Sequence, residues 1–271
     1  MKKLTVAIIG ILLAGVLLTG CNTESKQTSQ VSSEARKKLV VGSSAGFYPF
    51  AMMDKSGQLI GYEIDLVNGL GEYLNMDVEI QAYNGLTNIL SALQSQKVDV
   101  IVSAITITEK RKEMLDFSTP YLEGYLNVAV TDKYKDLRKW EDLDKPGVVI
   151  GIVMGTTAEL ATQKMVNATI KKFESNSLLA QALLNKQIDA VIDDESWVKV
   201  FKVYNPSITV LPVRVGEPEP LGIGVGKGNK ELLDKVNAYL KHYKESGAAD
   251  KNYKKWFQND AWLDLVPPKK H

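Results

Sequence analysis

The residues best suited to chemistry form one stretch, Ser103-Ala104-Ile105-Thr106-Ile107-Thr108-Glu109-Lys110-Arg111. It begins where an apolar run, Val98 to Val102, ends. Thr108 suits a helix N-cap, because its hydroxyl can accept a hydrogen bond from an unpaired backbone N–H. Glu109 and Lys110 then open a short helix with Arg111 in its first turn. A cation there opposes the helix dipole, which favours anions at that end. Free N–H groups beside a forked guanidinium describe a site for a carboxylate. The plainer alternative is an exposed Arg in a loop. A second candidate is Asp193-Asp194-Glu195, three acids at a strand end and helix start. Capping accounts for one or two of them. Asp194 facing a cleft would bind an ammonium and complement Arg111, one charge for each end of a zwitterion. Phe47, Phe50 and Tyr83 could wall such a pocket, although aromatic residues more often fill cores.

Groups for covalent or metal chemistry are sparse. His242 lies between lysines on an amphipathic helix and reads as a solvated residue, and His271 is terminal. Metal-ligand spacing, a nucleophile elbow and a phosphate-binding glycine fingerprint are absent from the sequence. The alternating Gly222, Gly224, Gly226 and Gly228 sit in the wrong context for a dinucleotide site. Asn167-Ala168-Thr169 matches a glycosylation triplet of the sort that arises by chance. No cofactor, catalytic residue or metal is expected.

The elements that must position these residues follow from periodicity. The chain has 271 residues, 45% apolar and 24% charged, which fits an ordinary globular protein. Lys38–Gly42 reads as a strand, followed by a loop and a turn at Asp54–Gly57. Ile64, Val67, Leu70 and Leu74 recur at helical spacing, giving a helix over about 62–74. A strand at Val78–Ile80, a helix through Leu86, Ile89, Leu90 and Leu93, and a buried strand at Val98–Val102 complete an α/β series. A second series starts with a strand at Asn127–Val130. It continues with strands at Val148–Val153, Ile170–Phe173, Ile188–Ile192 and Ile208–Leu211. The intervening helices run from Gly155-Thr156-Thr157 to about Val166, from a cap at Asn176, and from Asp193. The tail adds a strand at Gly222–Gly226 and two helices, one over about 230–244 and one holding Tyr253, Trp256 and Phe257. In open α/β sheets ligands lie beyond the C-terminal strand ends, where both the Ser103–Arg111 and the Gly155–Thr157 turns fall.

The first residues are an export address. Met1-Lys2-Lys3 precedes an apolar h-region of 15 residues, Leu4 to Leu18, too short for a comfortable membrane span. Leu18-Thr19-Gly20-Cys21 follows, and Cys21 is the single cysteine. A free thiol would be a liability in an oxidising compartment, which favours lipidation of Cys21 over a simple secretory signal. The polar stretch from Asn22 to Arg36 has a composition that cannot bury a core and reads as a tether. Without Lys2 and Lys3 the balance is 31 basic to 32 acidic residues, with no field that would draw nucleic acid.

Taken in order, several stretches resemble the polar amino-acid solute-binding proteins of ABC importers. They are Pro49-Phe50, Gly57-x-Leu59-x-Gly61-Tyr62-x-x-Asp65-Leu66, Lys97-Val98-Asp99, Thr106-Ile107-Thr108-x-x-Arg111, Asp116-Phe117-Ser118-x-Pro120-Tyr121, Gly155-Thr156-Thr157, and Asp189-Ala190 with Asp194. The resemblance spans about Leu39 to Phe257. It implies a bilobal α/β periplasmic-binding-protein-like fold with two hinge crossovers, near Asn127–Ala129 and near Pro220–Ile223. Residues 1–20 would be the lipoprotein signal and 21–37 the tether. Lobe 1 would hold 38–127 and 222–265, and lobe 2 would hold 128–221. It further implies that Arg111 takes the ligand α-carboxylate with backbone N–H groups of Thr106 and Thr157 beside Gly155. Asp194 would take the α-ammonium, and Phe47 and Tyr83 would sandwich the side chain. Binders of cationic amino acids in the family often carry an Asp where this chain has Ser44, which weakens a cationic ligand. Ala104 stands where a Ser or Gly helps the ammonium contact, leaving only its backbone carbonyl. The resemblance makes the protein a monomer tethered by lipid to the outer face of the bacterial cell membrane. It would trap a polar amino acid, neutral first and cationic second, and pass it to importer permease subunits. Two alternatives share the fold: a cyclohexadienyl-type dehydratase using Asp194 or Glu195 as general acid, and a sensor-type ligand-binding protein.

Overall fold

The computed structural model describes residues 36–267. The expected signal, Cys21 and nearly all of the tether lie outside those residues. In chain order β1 (Lys38–Ser44) leads into a short hairpin, β2 (Met52–Met53) and β3 (Leu59–Ile60). Next come α1 (Tyr62–Leu74), β4 (Asp77–Tyr83), α2 (Leu86–Gln94), β5 (Val100–Ile101), α3 (Glu109–Lys112) and β6 (Leu115–Phe117). A second series holds β7 (Leu122–Val130), β8 (Val149–Val153), α4 (Thr157–Thr162), β9 (Thr169–Phe173), α5 (Asn176–Leu184), β10 (Ala190–Asp194), α6 (Glu195–Tyr204) and β11 (Thr209–Leu221). The chain closes with β12 (Gly224–Gly226), α7 (Lys230–Glu245) and α8 (Ala248–Phe257).

Two five-stranded sheets result, ordered β4-β1-β5-β12-β6 and β11-β7-β10-β8-β9. In the first, β1 pairs in parallel with β4 and β5, and β12 runs antiparallel to β5 and β6. In the second, β8 is parallel to β9 and β10, and β7 runs antiparallel to β10 and β11. This is the bilobal α/β fold. Helices cover the sheets because their apolar stripes have nowhere else to go: α1 buries Ile64, Leu66, Val67 and Leu70, and α5 buries Leu179, Ala180, Ala182 and Leu183. Ala190, Val191 and Ile192 of β10 are fully buried, as expected of a strand covered on both faces.

The C-terminal tail is tied to α1 and to itself by polar atoms that burial obliges to find partners. Trp256 Nε1 donates to Asp65 Oδ2 at 2.7 Å, Tyr239 OH to Leu66 O at 2.8 Å, and Trp262 Nε1 to Trp256 O at 3.1 Å. The Leu265 carbonyl accepts from Lys55 N at 2.9 Å, which returns the chain end to the β2–β3 hairpin.

Several boundaries differ from expectation. The strand expected at Asn127–Val130 begins earlier, at Leu122: β7 pairs with β11 from its first residue and with β10 from Leu126. One extended run carries both parts, so side-chain pattern alone does not mark its start. The last strand of the second sheet runs to Leu221 rather than ending at Leu211. It holds Pro212, Pro218 and Pro220, which an edge strand tolerates because outward positions need no donor, and two register shifts absorb the misfit. The helix after Thr157 stops at Thr162, not near Val166. There Thr162 Oγ1 bonds back to Ala158 O and Glu159 O, and Asp144 takes the N–H groups of Val166, Asn167 and Ala168.

Candidate functional site

Loops from both sheets converge on a cavity of about 640 Å³. The first sheet supplies Ser44 at the end of β1 and Phe47 after it, Tyr83 at the end of β4, Ala104 and Thr106 after β5, and Arg111 on α3. The second supplies Thr157 at the start of α4, Glu174 after β9, Asn176 at the start of α5, and Asp193 and Asp194 at the end of β10. Every contribution comes from a C-terminal strand end, the position where an open α/β sheet leaves a crevice.

Arg111 is placed by its local sequence. Thr108 caps α3, its hydroxyl accepting from Arg111 N at 3.3 Å. The side chain is 7% exposed. Nη1 donates to Thr106 O at 2.8 Å, and Nη2 donates to Gly155 O of the second sheet's loop at 3.0 Å. Burial pushes the guanidinium below its ordinary value, and the charges of Glu219 and Asp194 oppose that shift. A guanidinium has five N–H donors, so two carbonyl contacts leave donors for an anion.

The two backbone donors expected beside it are those of Thr106 and Thr157, and both residues line the cavity. Thr106 and Leu221 form a bridge whose bonds run from Ile107 N to Pro220 O and from Gly222 N to Ile105 O. The Thr106 N–H is therefore not used in the bridge. Thr157 opens α4, and a first-turn N–H has no acceptor within its own helix.

Asp194 is half-buried, and among the described residues no donor bonds to its carboxylate. Burial raises its carboxyl well above the usual range, and the neighbouring charges of Asp193 and Glu219 push the same way. Asp193 is 6% exposed and its oxygens are engaged: Oδ1 accepts from Asp194 N and Oδ2 from Asn176 Nδ2, each at 2.8 Å. Burial raises it as well. An arriving cation would stabilise the ionised form of this pair. Asn176 was expected as a helix cap, but Ser175 holds that position and frees Asn176 for the cavity.

Phe47 and Tyr83 both line the cavity, the Tyr83 hydroxyl being held by Gln81 Oε1 at 2.9 Å. Phe50 does not. At 2% exposure it stacks behind Phe47, ring centres 5.5 Å apart, and meets Tyr62 and Phe257 edge-on. Its place is core support for the cavity wall. Ser44 Oγ shares a 2.5 Å hydrogen bond with Ser103 Oγ. Glu195 is drawn away from the cavity by Lys199 at 2.6 Å and by Arg214 Nη2 at 3.0 Å, which takes it out of the general-acid reading.

Two site carboxylates escaped the sequence reading. Glu219 lies near the end of β11, and its Oε2 accepts from Thr106 Oγ1 at 2.8 Å and from Thr157 Oγ1 at 2.9 Å. Glu63 stands under the cavity floor at 1% exposure; its Oε1 accepts from Ala104 N at 2.6 Å and from Tyr121 OH. This bond anchors Ala104, which holds a left-handed φ of 45° that costs a non-glycine residue about 1 kcal/mol. The other Glu63 oxygen is buried without a partner. Burial, only partly offset by those two donors, raises the Glu63 carboxyl from 4.5 to about 7. The folded state therefore holds the proton more tightly than the unfolded chain. That contribution is fully present below pH ~4.5 and is lost as pH rises through about 7, a span on the order of 3 kcal/mol. The melting temperature should fall from pH 5 to pH 8, and fall less in Glu63→Gln. Gln keeps the accepting oxygen and cannot ionise, while Asp193 and Asp194 retain their own share of the slope. Equal slopes in the two proteins would contradict the assignment.

Known proteins resemble this chain in sequence and in fold. A probable histidine-binding protein of Neisseria gonorrhoeae is 29% identical over 265 residues, covering 96% of this chain and 97% of the relative. A solved ancestral arginine-binding protein bound to glutamine is 36% identical with a TM-score of 0.77, covering 83% of this chain and 99% of that one. A solved ancestral amino acid-binding protein, a precursor of cyclohexadienyl dehydratase, is 36% identical with a TM-score of 0.74, covering 81% and 95%. Residues 39–259 match the bacterial extracellular solute-binding proteins, family 3; sequence, fold and relatives agree, and the chain belongs to that family as a binding protein, not an enzyme.

Proposed function

We propose that this protein captures one polar amino acid between its lobes and delivers it to an ABC importer, working from the outer face of the cell membrane to which Cys21 is lipidated. The observation that carries the reading is the pairing, in one cavity, of a buried Arg111 with spare donors and an Asp194 carboxylate with no donor among the described residues. The α-carboxylate would meet Arg111 and the N–H groups of Thr106 and Thr157. The α-ammonium would meet Asp194 and the Ala104 carbonyl. Phe47 and Tyr83 would flank the side chain, with Asn84, Asn88, Asn176 and Ser44 around it as polar groups. That lining suits a polar side chain, and the relatives named for histidine and arginine, one of them bound to glutamine, lie in the same class.

The test is a thermal-shift screen of the twenty amino acids plus cystine, since a ligand that binds only the folded state raises its melting temperature. One or a few polar amino acids should stabilise the protein, and stabilisation by none would refute the reading. The anchor is tested separately by Cys21→Ser, which should release the chain from the membrane fraction; retention there would contradict lipidation.

A further inference from the structure

We infer that Glu219 is a positioning residue that latches the two lobes together, so that the site is assembled before the ligand arrives. The inference rests on the amino-acid-binding reading and adds the element that sets closure. Glu219 stands on β11, two residues before that strand ends and the chain passes to β12 of the first sheet, at the junction of the lobes. Its Oε2 gathers one hydroxyl from each side: Thr106, on the loop after β5, and Thr157, at the start of α4. Both bonds can form together only when the lobes are closed.

Three further features belong to the same closed arrangement. Arg111 Nη2 crosses to Gly155 O at 3.0 Å. Gly85, with φ +78°, leaves room for the Glu174 carbonyl, which an added Cβ would meet at 2.5 Å. Glu219 also sits within electrostatic reach of Arg111, where its negative charge favours the charged guanidinium. Each interlobe bond that the closed protein makes within itself lowers the cost of closure that the ligand must otherwise meet, which is preorganisation. The hydrogen bonds have a second consequence. A threonine hydroxyl has one hydrogen. With both hydrogens committed to Glu219, Thr106 and Thr157 keep fixed rotamers and offer lone pairs, not donors, to anything in the cavity. Donation to a carboxylate then falls to Arg111 and the backbone N–H groups.

The experiment is small-angle X-ray scattering on the full chain, stripped of solute by unfolding and refolding, with melting followed in parallel. Wild type should be compact without ligand. Glu219→Ala should expand, the radius of gyration rising on the order of 1 Å as the hinge opens. Thr157→Val removes the hydroxyl from one side only and should expand it likewise, while Glu219→Gln keeps an accepting oxygen and should stay compact. A stabilising role alone would lower the melting temperature of Glu219→Ala and leave the radius unchanged, and that result overturns the latch. So does a ligand-free wild type as expanded as Glu219→Ala, or expansion of Glu219→Gln. The measurement needs no ligand, so its failure is separate from a failure of the amino-acid screen.

Discussion

Replacing Arg111 with alanine weakens amino-acid binding at least about a hundredfold, because it strips from the cavity the only cationic side chain that lines it among the described residues. Removing one partner of a buried, hydrogen-bonded charge pair costs roughly 2–5 kcal/mol, and about 1.4 kcal/mol is a decade in affinity. Two side effects need separating from that loss. The guanidinium also holds Thr106 O and Gly155 O, so its removal leaves a buried carbonyl short of a donor and loosens one contact between the loops. Arg111→Lys keeps a charge but loses the planar fork, and should recover only part of the affinity. Titration calorimetry on the two variants checks this, and an unchanged dissociation constant for the alanine variant would remove Arg111 from the site.

The second large effect belongs to Asp194. Asp194→Asn should also cost about a hundredfold, and should matter less for a ligand lacking the α-amine. The sign of its pH dependence follows from its surroundings. Burial beside Asp193 and Glu219 raises the Asp194 carboxyl well above the ordinary range. An ammonium binds the ionised form, so binding must expel whatever proton the pair carries. Affinity should therefore rise with pH across the neutral range, and calorimetry in buffers of different ionisation enthalpy should register proton release. Asp194→Asn should reduce that release. Proton uptake on binding by the wild type would contradict this account of the acid pair.

These two residues were legible in the sequence for a definite reason. Each follows a buried strand at the start of a helix, where Arg111 opposes the helix dipole and the three acids at Asp193–Glu195 exceed what capping accounts for. Most helices and strands were equally open to reading, because apolar residues recur at helical spacing in α1 and α5 and form a continuous run in β10. What escaped was set by tertiary pairing. Glu219 lies in Gly216-Glu217-Pro218-Glu219-Pro220, where the prolines suggest a loop, and only its pairing with β7 makes a strand of it. Its two hydroxyl partners are 113 and 62 positions away, so no local spacing marks it. Glu63 sits in the Gly61-Tyr62 stretch as an ordinary first-turn acid, and its burial depends on Tyr121 and Ala104 closing over it. Phe50 failed for the opposite reason: an aromatic residue beside a pocket loop cannot be assigned to wall or core until its neighbours are known.

The central claim is that one cavity reads both ends of a zwitterion, and calorimetry on the best amino acid from the screen tests it most directly. The free amino acid, its methyl ester and its N-acetyl derivative would be titrated in turn. The account predicts tight binding of the first and a loss of at least about a hundredfold for each of the others, since one lacks the charge for Arg111 and the other the charge for Asp194. Comparable affinity for the ester or for the acetylated form would contradict it.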